Sequence, residues 1–222
     1  MKAGFFVAGT DTGVGKTFVA AALLSGFGAL GLRAAGMKPI AAGSQHGRND
    51  DVEALVAAGI GGLDRRLVCP YLFEPPVAPH IAAREAGIRI DLAVIEAAFK
   101  QLRSQADVVV VEGVGGFRVP LDERTDAGAI PKHLGLPVIL VVGLRLGCLN
   151  HALLTREAIE AEGLELAGWV ANRIDPAMTR AEENIEALRS RLRAPLIAEV
   201  PFGAASDFPI ALELLSPRRG SP

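Results

Sequence analysis

A three-layer α/β fold with a mostly parallel sheet is predicted by three features of this sequence. Short β-branched runs alternate with longer Ala- and Leu-rich stretches, one run is apolar on both faces, and a glycine-rich loop joins the first run to the first long stretch. The both-face run is Val108–Val111, four consecutive valines between Asp107 and Glu112. Such a strand belongs inside a sheet covered by helices on both sides.

Element by element, strands are predicted at Gly4–Ala8, Ala34–Lys38, Asp107–Glu112, Val138–Val142, Leu166–Asn172 and Pro195–Val200. Helices are predicted at Lys16–Leu30, Asp50–Ala58, Leu92–Gln105, Asp126–Leu134, Cys148–Glu162, Thr179–Leu192 and Asp207–Leu215. The stretch Pro70–Pro79 is too rich in proline for a helix interior or a central strand and reads as an ordered loop or rim. The tail at 216–222 reads as frayed. With no internal repeat and no linker, residues 1–222 read as a single domain.

The chain has 222 residues, 50% of them hydrophobic, enough to bury a full core. Its 23 basic and 25 acidic residues are mixed along the chain, with a net charge of −2. No basic patch implies nucleic acid or a membrane surface as partner. The N-terminal MKAGFFVAG reads as a first strand and not a signal segment. The apolar runs at 107–111 and 138–142 fall far short of the roughly 20 residues a membrane span needs. Two cysteines, Cys69 and Cys148, lie far apart and read as reduced, partly buried thiols of a cytoplasmic protein.

Chemistry enters at Gly9-Thr10-Asp11-Thr12-Gly13-Val14-Gly15-Lys16-Thr17, which follows the first strand and opens the first helix. That is the context of a phosphate-binding P-loop, and the fold is therefore P-loop NTPase-like. Glycines let several N–H groups converge on phosphate oxygens, and the helix N-terminus adds a favourable dipole. Lys16 would reach the β and γ phosphates, and the Thr17 hydroxyl would ligate Mg²⁺. The loop is a variant: the usual pattern has its first glycine where Thr10 stands, and Gly9 is one residue further out. It lacks a lysine just before the loop glycines, and Phe18 stands where a dinucleotide fingerprint requires glycine.

A triphosphate site also needs a carboxylate at a strand end. Glu112 ends the valine strand and is followed by Gly113-Val114-Gly115-Gly116, which lets the chain pass close to a ligand. Asp50 and Asp51 open a helix after a polar loop; capping explains Asp50, whereas spacing leaves Asp51 either a helix-end acid or a metal ligand. Lys38 ends the second strand before Pro39, where a cation can neutralise charge on a transferring phosphoryl group or an acceptor carboxylate. Asn172 ends the fifth strand, either as a turn residue or as an amide for a purine edge. His46, His80, His133 and His151 form no metal set.

With GTDTGVGKT, MKPIAAGS, PHIAA, VEGVGG, LGCLNHALLT and GWVANR in this order, the chain closely resembles the dethiobiotin synthetase family from residue 4 to about residue 203. The resemblance accounts for the variant loop, which is the family's own form. It implies an ATP-dependent cyclo-ligase that forms carbon–nitrogen bonds, converting 7,8-diaminononanoate and CO₂ to dethiobiotin, ADP and phosphate through a carbamate and a carbamic–phosphoric anhydride. It places Lys16 and Lys38 beside the transferring phosphoryl, Thr17, Asp51 and Glu112 on Mg²⁺, and Gly13, Val14, Gly15, Lys16, Thr17 and Phe18 around the phosphates. Glu112, Gly113, Val114 and Gly115 then line the nucleotide and substrate side, while Asn172, Arg173, Pro201, Phe202 and Gly203 hold the adenine. It further implies a homodimer whose site borrows from the neighbour, with Leu146, Gly147, Cys148, Leu149 and Asn150 receiving the distal carboxylate of the diamino acid. Two positions depart from the family: Ala42 stands where a substrate-contacting hydroxyl residue is common, and Gly13 where some members carry Glu. Activation of another carboxylate or amine in cofactor synthesis and a nucleotide-switch protein are the competing readings. The switch is disfavoured by the missing loop lysine and the absence of a basic surface.

Overall fold

The structure, a computed structural model, describes residues 3–205 and 208–215. Six strands, β1 (Ala3–Gly9), β2 (Ala34–Met37), β5 (Val108–Glu112), β6 (Val138–Leu144), β7 (Leu166–Arg173) and β8 (Leu196–Val200), form a wholly parallel sheet in the order β2-β5-β1-β6-β7-β8. Between them run α1 (Lys16–Ala29), α2 (Asp50–Ala58), α3 (Arg65–Val68), α4 (Pro79–Glu85), α5 (Leu92–Gln105), α6 (Ala129–Leu134), α7 (Cys148–Ala161) and α8 (Ala181–Leu192).

Strand alternation divides the core into two layers. Phe5, Val7, Val108 and Val110 pack with Leu23, Leu24 and Phe27 of α1 and Leu55 of α2. Phe6, Val109 and Val111 face the other way, onto Ile95, Phe99 and Leu102 of α5 and the apolar sides of α7 and α8. The valine strand β5 is buried throughout between β2 and β1, the interior place its composition predicted. Because every strand of the sheet runs the same way, the carboxyl ends of β1, β2, β5, β6 and β7 share one edge, where ligands bind open α/β sheets.

Several boundaries and one region differ from the sequence reading. The helix predicted from Asp126 starts at Ala129, because Asp126 is held in a bridge to Pro120 and its carboxylate accepts from the Gly128 N–H at 3.0 Å. The helix predicted from Thr179 starts at Ala181, after Arg180 at φ 60°. Of the predicted Asp207–Leu215 helix, Asp207 lies outside the described residues, and regular structure is a 3₁₀ turn at Leu212–Leu215. The tail 216–222 is also outside them. Within Pro70–Pro79 the rim carries more order than expected. Tyr71–Phe73 forms β4, which pairs in parallel with β3 (Ile40–Ala42) in a separate two-stranded sheet, and Pro79 opens α4. Both uses obey proline chemistry: the strand avoids the prolines, and Pro at the first helical turn loses no hydrogen bond.

The β4 region also buries Cys69, whose thiol donates to the Tyr71 carbonyl at 3.4 Å. Both cysteines are free and buried. Burial pushes the Cys69 thiol up to about 12, so its reactive thiolate is nearly absent at neutral pH. Cys69 should therefore resist a thiol reagent in the native protein at about pH 8 and react once urea unfolds the chain, as followed by mass spectrometry. Rapid native labelling would contradict the burial.

Gly36 in β2 is fixed by close packing. A Cβ there would lie 2.8 Å from Leu55 Cβ and 3.0 Å from Leu24 Cδ1. Gly36→Ala must push α2 off the sheet, and we expect a loss of about 1–3 kcal/mol, read from the urea midpoint. An unchanged midpoint would show that α2 adjusts freely.

Candidate functional site

The site is built around one buried ammonium. Lys38 follows β2, its main-chain N–H donates to the Val68 carbonyl at 2.8 Å, and Pro39 fixes the chain beyond it. Its Nζ donates to Glu112 Oε1 at 2.5 Å and to Asp51 Oδ2 at 2.7 Å. The Lys38 and Glu112 side chains are 5% and 0% exposed, whereas Asp51 is 45% exposed. The Thr17 hydroxyl donates to the same Glu112 Oε1 at 2.8 Å. Thus Thr17, Lys38, Asp51 and Glu112, drawn from α1, the end of β2, α2 and the end of β5, meet at one point.

Burial pushes the Glu112 carboxyl above its ordinary range, and the Lys38 ammonium works against that push. For Lys38, burial opposes the charge, but Glu112 and Asp51 outweigh it and raise its pKa. Burial likewise opposes the Asp51 charge, and Lys38 overcomes it to hold the carboxyl below its usual range. Lys16 lacks such a partner: its Nζ donates to the Asp11 carbonyl at 3.0 Å. Burial, with the Lys38 charge, pushes Lys16 down to about 8. Among the described residues, Lys16 is thus a buried cation with no carboxylate hydrogen-bonded to it.

The donor set suits Mg²⁺. Glu112 Oε2 is buried with no hydrogen-bond partner, although its sister oxygen holds two donors. An orphaned carboxylate oxygen beside a hydroxyl and a half-exposed second carboxylate is a place for a hard cation. Among the described residues no group of three or more His, Cys, Asp or Glu is arranged to hold a metal. A cation here must take further oxygens from phosphate or water, as Mg²⁺ does.

The phosphate loop curls through Gly13 at φ 74° and Gly15 at φ 90°. Gly15 is also required by contact, since a Cβ there would collide with the Asn172 amide. Gly13 faces open space, so a larger residue there would meet strain from φ but no clash. Phe18 stacks on Phe208 with ring centroids 5.3 Å apart. Gly113 donates its N–H to the Val7 carbonyl at 3.0 Å, and a Cβ at Gly115 would come within 3.4 Å of Thr12 Oγ1, so the chain after β5 crosses beside the phosphate loop. Val114 is part-buried against the core.

The predicted adenine residues are gathered in part. Asn172 is buried, and its amide nitrogen donates to the Val14 carbonyl at 2.8 Å, which uses one of its two N–H donors and leaves the oxygen as acceptor. Arg173 and Phe202 line a cavity of about 190 Å³ with Leu144, Asp175, Pro176 and Met178. Pro201 and Gly203 flank Phe202, and the Pro201 carbonyl accepts from Ala204 N–H at 3.2 Å.

The predicted substrate residues make no direct hydrogen bond to the Lys38 cluster among the described residues. Ala42 ends β3, and its carbonyl accepts from Asn49 Nδ2 at 3.3 Å. Gly147, at φ 94°, precedes α7, and Cys148 is buried with its N–H donating to the Arg145 carbonyl at 3.0 Å. No hydrogen bond among the described residues joins Ala42 or Leu146–Asn150 to Lys38 or Glu112.

Two features escaped the sequence reading. Asn49, not Asp50, caps α2, its Oδ1 accepting from Asp51 N–H at 3.2 Å and Val52 N–H at 3.4 Å. The preference for Asn at this position was the available signal. Asp11 accepts from Arg145 Nη2 at 2.5 Å, tying the phosphate loop to the end of β6; no local pattern links residues so far apart in sequence. Of the histidines, His46 and His151 are exposed, His133 Nε2 lies 3.5 Å from Glu96, and His80 Nδ1 is buried without a partner.

Among solved structures, the septum site-determining protein MinD complexed with Mg-ADP from Pyrococcus horikoshii is similar, with a TM-score of 0.58 over 90% of this chain and 82% of that one. Chloroplast FtsY from Physcomitrella patens gives 0.53 over 98% and 66%. At 18% and 19% identity these likenesses establish the fold alone. Residues 3–209 match the AAA domain family. The ATP-dependent dethiobiotin synthetase BioD of Aromatoleum aromaticum is 60% identical over 209 residues, covering 91% of this chain and 92% of that protein. Its namesakes from Nitrosospira multiformis and Ralstonia nicotianae are 54% and 52% identical, covering 93% and 88% of this chain and 92% and 87% of their own lengths. At that identity over nearly the whole length, with the phosphate loop and the buried Lys38 cluster in place, the chain belongs to the ATP-dependent dethiobiotin synthetase family.

Proposed function

We propose that this protein is an ATP-dependent ligase that closes the ureido ring of dethiobiotin from 7,8-diaminononanoate and CO₂. The observation that carries the reading is the Lys38 ammonium. It has three donors, two of which go to Glu112 and Asp51, leaving one for an anionic oxygen in a buried place beside the phosphate loop. A carbamate formed on one amine supplies that anion, and its oxygen must become a leaving group before the second amine can attack.

Lys38 then orients the carbamate oxygen and neutralises its charge, while Lys16 exchanges the Asp11 carbonyl for the β and γ phosphates. Thr17, Asp51 and Glu112 would hold Mg²⁺, which would supply further neutralisation of the triphosphate. Transfer of the γ phosphoryl to the carbamate oxygen releases ADP and gives the carbamic–phosphoric anhydride. Attack by the second amine forms the carbon–nitrogen bond and expels phosphate. Ring closure is intramolecular, so alignment contributes much of the rate. Gly113, Val114 and Gly115 line the path between nucleotide and substrate. Asn172, with one N–H fixed on Val14, offers adenine its oxygen as an acceptor for the 6-amino group, next to Arg173, Pro201, Phe202 and Gly203.

The substrate's distal carboxylate is assigned to the first turn of α7. Leu149 and Asn150 carry first-turn N–H groups, which have no acceptor within the helix. Leu146 beside them is 96% exposed and Leu154, on the same helix, 57%. Two large apolar side chains in water next to an anion site support a homodimer that covers them and shares the substrate between protomers. We read residues 1–222 as one domain, since two apolar layers share one sheet. We assign it to the cytoplasm, where two unpaired thiols stay reduced; no helix among the described residues is long and apolar enough to cross a membrane.

The test is ADP release with Mg-ATP and bicarbonate, with and without 7,8-diaminononanoate. A steep diamine-dependent rise is expected, with a product whose mass is that of diamine plus CO₂ minus water. Lys38→Met should lower the diamine-dependent kcat by at least ~100-fold while ATP still binds. ATP binding without diamine-dependent turnover would sink the reading. For the dimer, Leu154→Glu should shift the sedimentation mass toward a monomer and raise the KM for the diamine. A wild-type monomer that is fully active would overturn the shared site.

A further inference from the structure

We propose that Arg145 is a positioning residue that couples the substrate-carboxylate loop to the phosphate loop through Asp11, so that diamine binding tightens ATP binding. The proposal rests on the ligase reading above.

Arg145 is bonded at both of its ends. Its carbonyl accepts from the Cys148 N–H at 3.0 Å, in the first turn of α7, and its guanidinium donates to Asp11 Oδ2 at 2.5 Å. Asp11 is equally committed: its Oδ1 accepts from Thr12 N–H at 2.7 Å and its carbonyl from Lys16 Nζ at 3.0 Å. Two residues, Arg145 and Asp11, thus link the first turn of α7, whose next N–H groups are assigned to the carboxylate, with the lysine assigned to the phosphates.

Below Arg145 the strand end is closely packed, since a Cβ on Gly143 would lie 2.8 Å from Val14 of the phosphate loop. Above it the Arg145 carbonyl holds the first turn of α7 through the Cys148 N–H. An anion taken up at the start of α7 acts on a segment whose inner anchor is Arg145. On the other side, arriving phosphates draw Lys16 away from the Asp11 carbonyl, and Asp11 is left to the hold of Arg145. Both ligands bias the same carboxylate residue, which is the physical requirement for coupling. In the proposed homodimer the loop serves the neighbouring protomer's substrate, so the coupling crosses the interface.

Both side chains of the pair are 43% exposed, so solvent screens it and its value to fold stability is small. Removing it should leave the fold intact, which makes the test clean. ATP binding is measured by calorimetry on the full chain, without bicarbonate so that no turnover occurs, with and without saturating 7,8-diaminononanoate. In the wild type the diamine should lower the ATP Kd by about 5- to 20-fold. In Arg145→Ala that factor should fall to about 1- to 2-fold, with the thermal midpoint unchanged and ATP affinity without diamine nearly kept. Arg145→Lys should restore part of it. Wild-type coupling in Arg145→Ala, or none in the wild type, overturns the proposal. So does an Arg145→Ala that weakens both ligands equally and keeps their ratio, for that is loop support alone. A wild type without diamine-dependent ADP release sinks the ligase reading and this proposal with it; a wild type that turns over, with coupling intact in Arg145→Ala, sinks this proposal alone.

Discussion

The Lys38–Glu112 pair sets the terms on which the rest of the site is arranged. An ammonium and a carboxylate taken almost completely out of water cost several kcal/mol each, which their attraction offsets only in good geometry. The geometry here is tight: Lys38 Nζ stands 2.5 Å from Glu112, with Asp51 and Thr17 supplying the additional contacts. The charges still do not close on themselves. Glu112 keeps an unpartnered oxygen, Lys38 keeps a donor, and Lys16 rests on a carbonyl. A network that was purely structural would satisfy these groups internally, since a partly satisfied buried polar cluster is worse than an apolar one. What is left over is an oxygen that can take a cation and two lysines that can take anions.

The parallel sheet makes this arrangement possible. β5 lies between β2 and β1, so Lys38, Glu112 and the phosphate loop leave neighbouring strands at the same edge. In register, Val7 of β1 pairs with Glu112 and Met37 of β2 with Val111. Asp51 reaches the same point from α2, which rests on β2 through the contact of Leu55 with Gly36 and is started by Asn49. A glycine in a strand and an asparagine in a loop are thus part of the positioning of a carboxylate neither of them touches with a polar bond of its own side chain.

The sequence disclosed the parts of this site that local pattern governs. The phosphate loop, the valine strand ending in Glu112 and the helix spans at Asp50–Ala58 and Leu92–Gln105 follow from glycine spacing, two-faced hydrophobicity and helix periodicity, and the structure has them there. Lys38 was legible as a strand-end cation but not as the partner of Glu112, because that pairing depends on strand order, which local pattern does not encode. The same holds for Asp11 with Arg145 and for Asn172 on the Val14 carbonyl, each a contact across more than a hundred residues. The small β3–β4 sheet was hidden for a different reason: three-residue strands flanked by proline carry too little alternation to be seen.

The two positions at which the resemblance implies a departure, Gly13 and Ala42, differ physically. Gly13 stands at φ 74° with open space around its Cβ position, so a side chain there would extend outward and meet no neighbour in the loop. Ala42 is different, since a hydroxyl removed from the end of β3 cannot be recovered from the strand itself. In a regular strand residues 42 and 44 would share a face, and Ser44 could take over. The chain breaks that alternation at Gly43, at φ 86°, immediately after β3 ends. Ser44 is then buried with its N–H on the Phe73 carbonyl at 3.0 Å, as part of the joint between β3 and β4. Its side chain cannot be assigned to the face of Ala42 by strand geometry. A contact that a hydroxyl at position 42 would make is therefore not one that strand alternation hands on to Ser44.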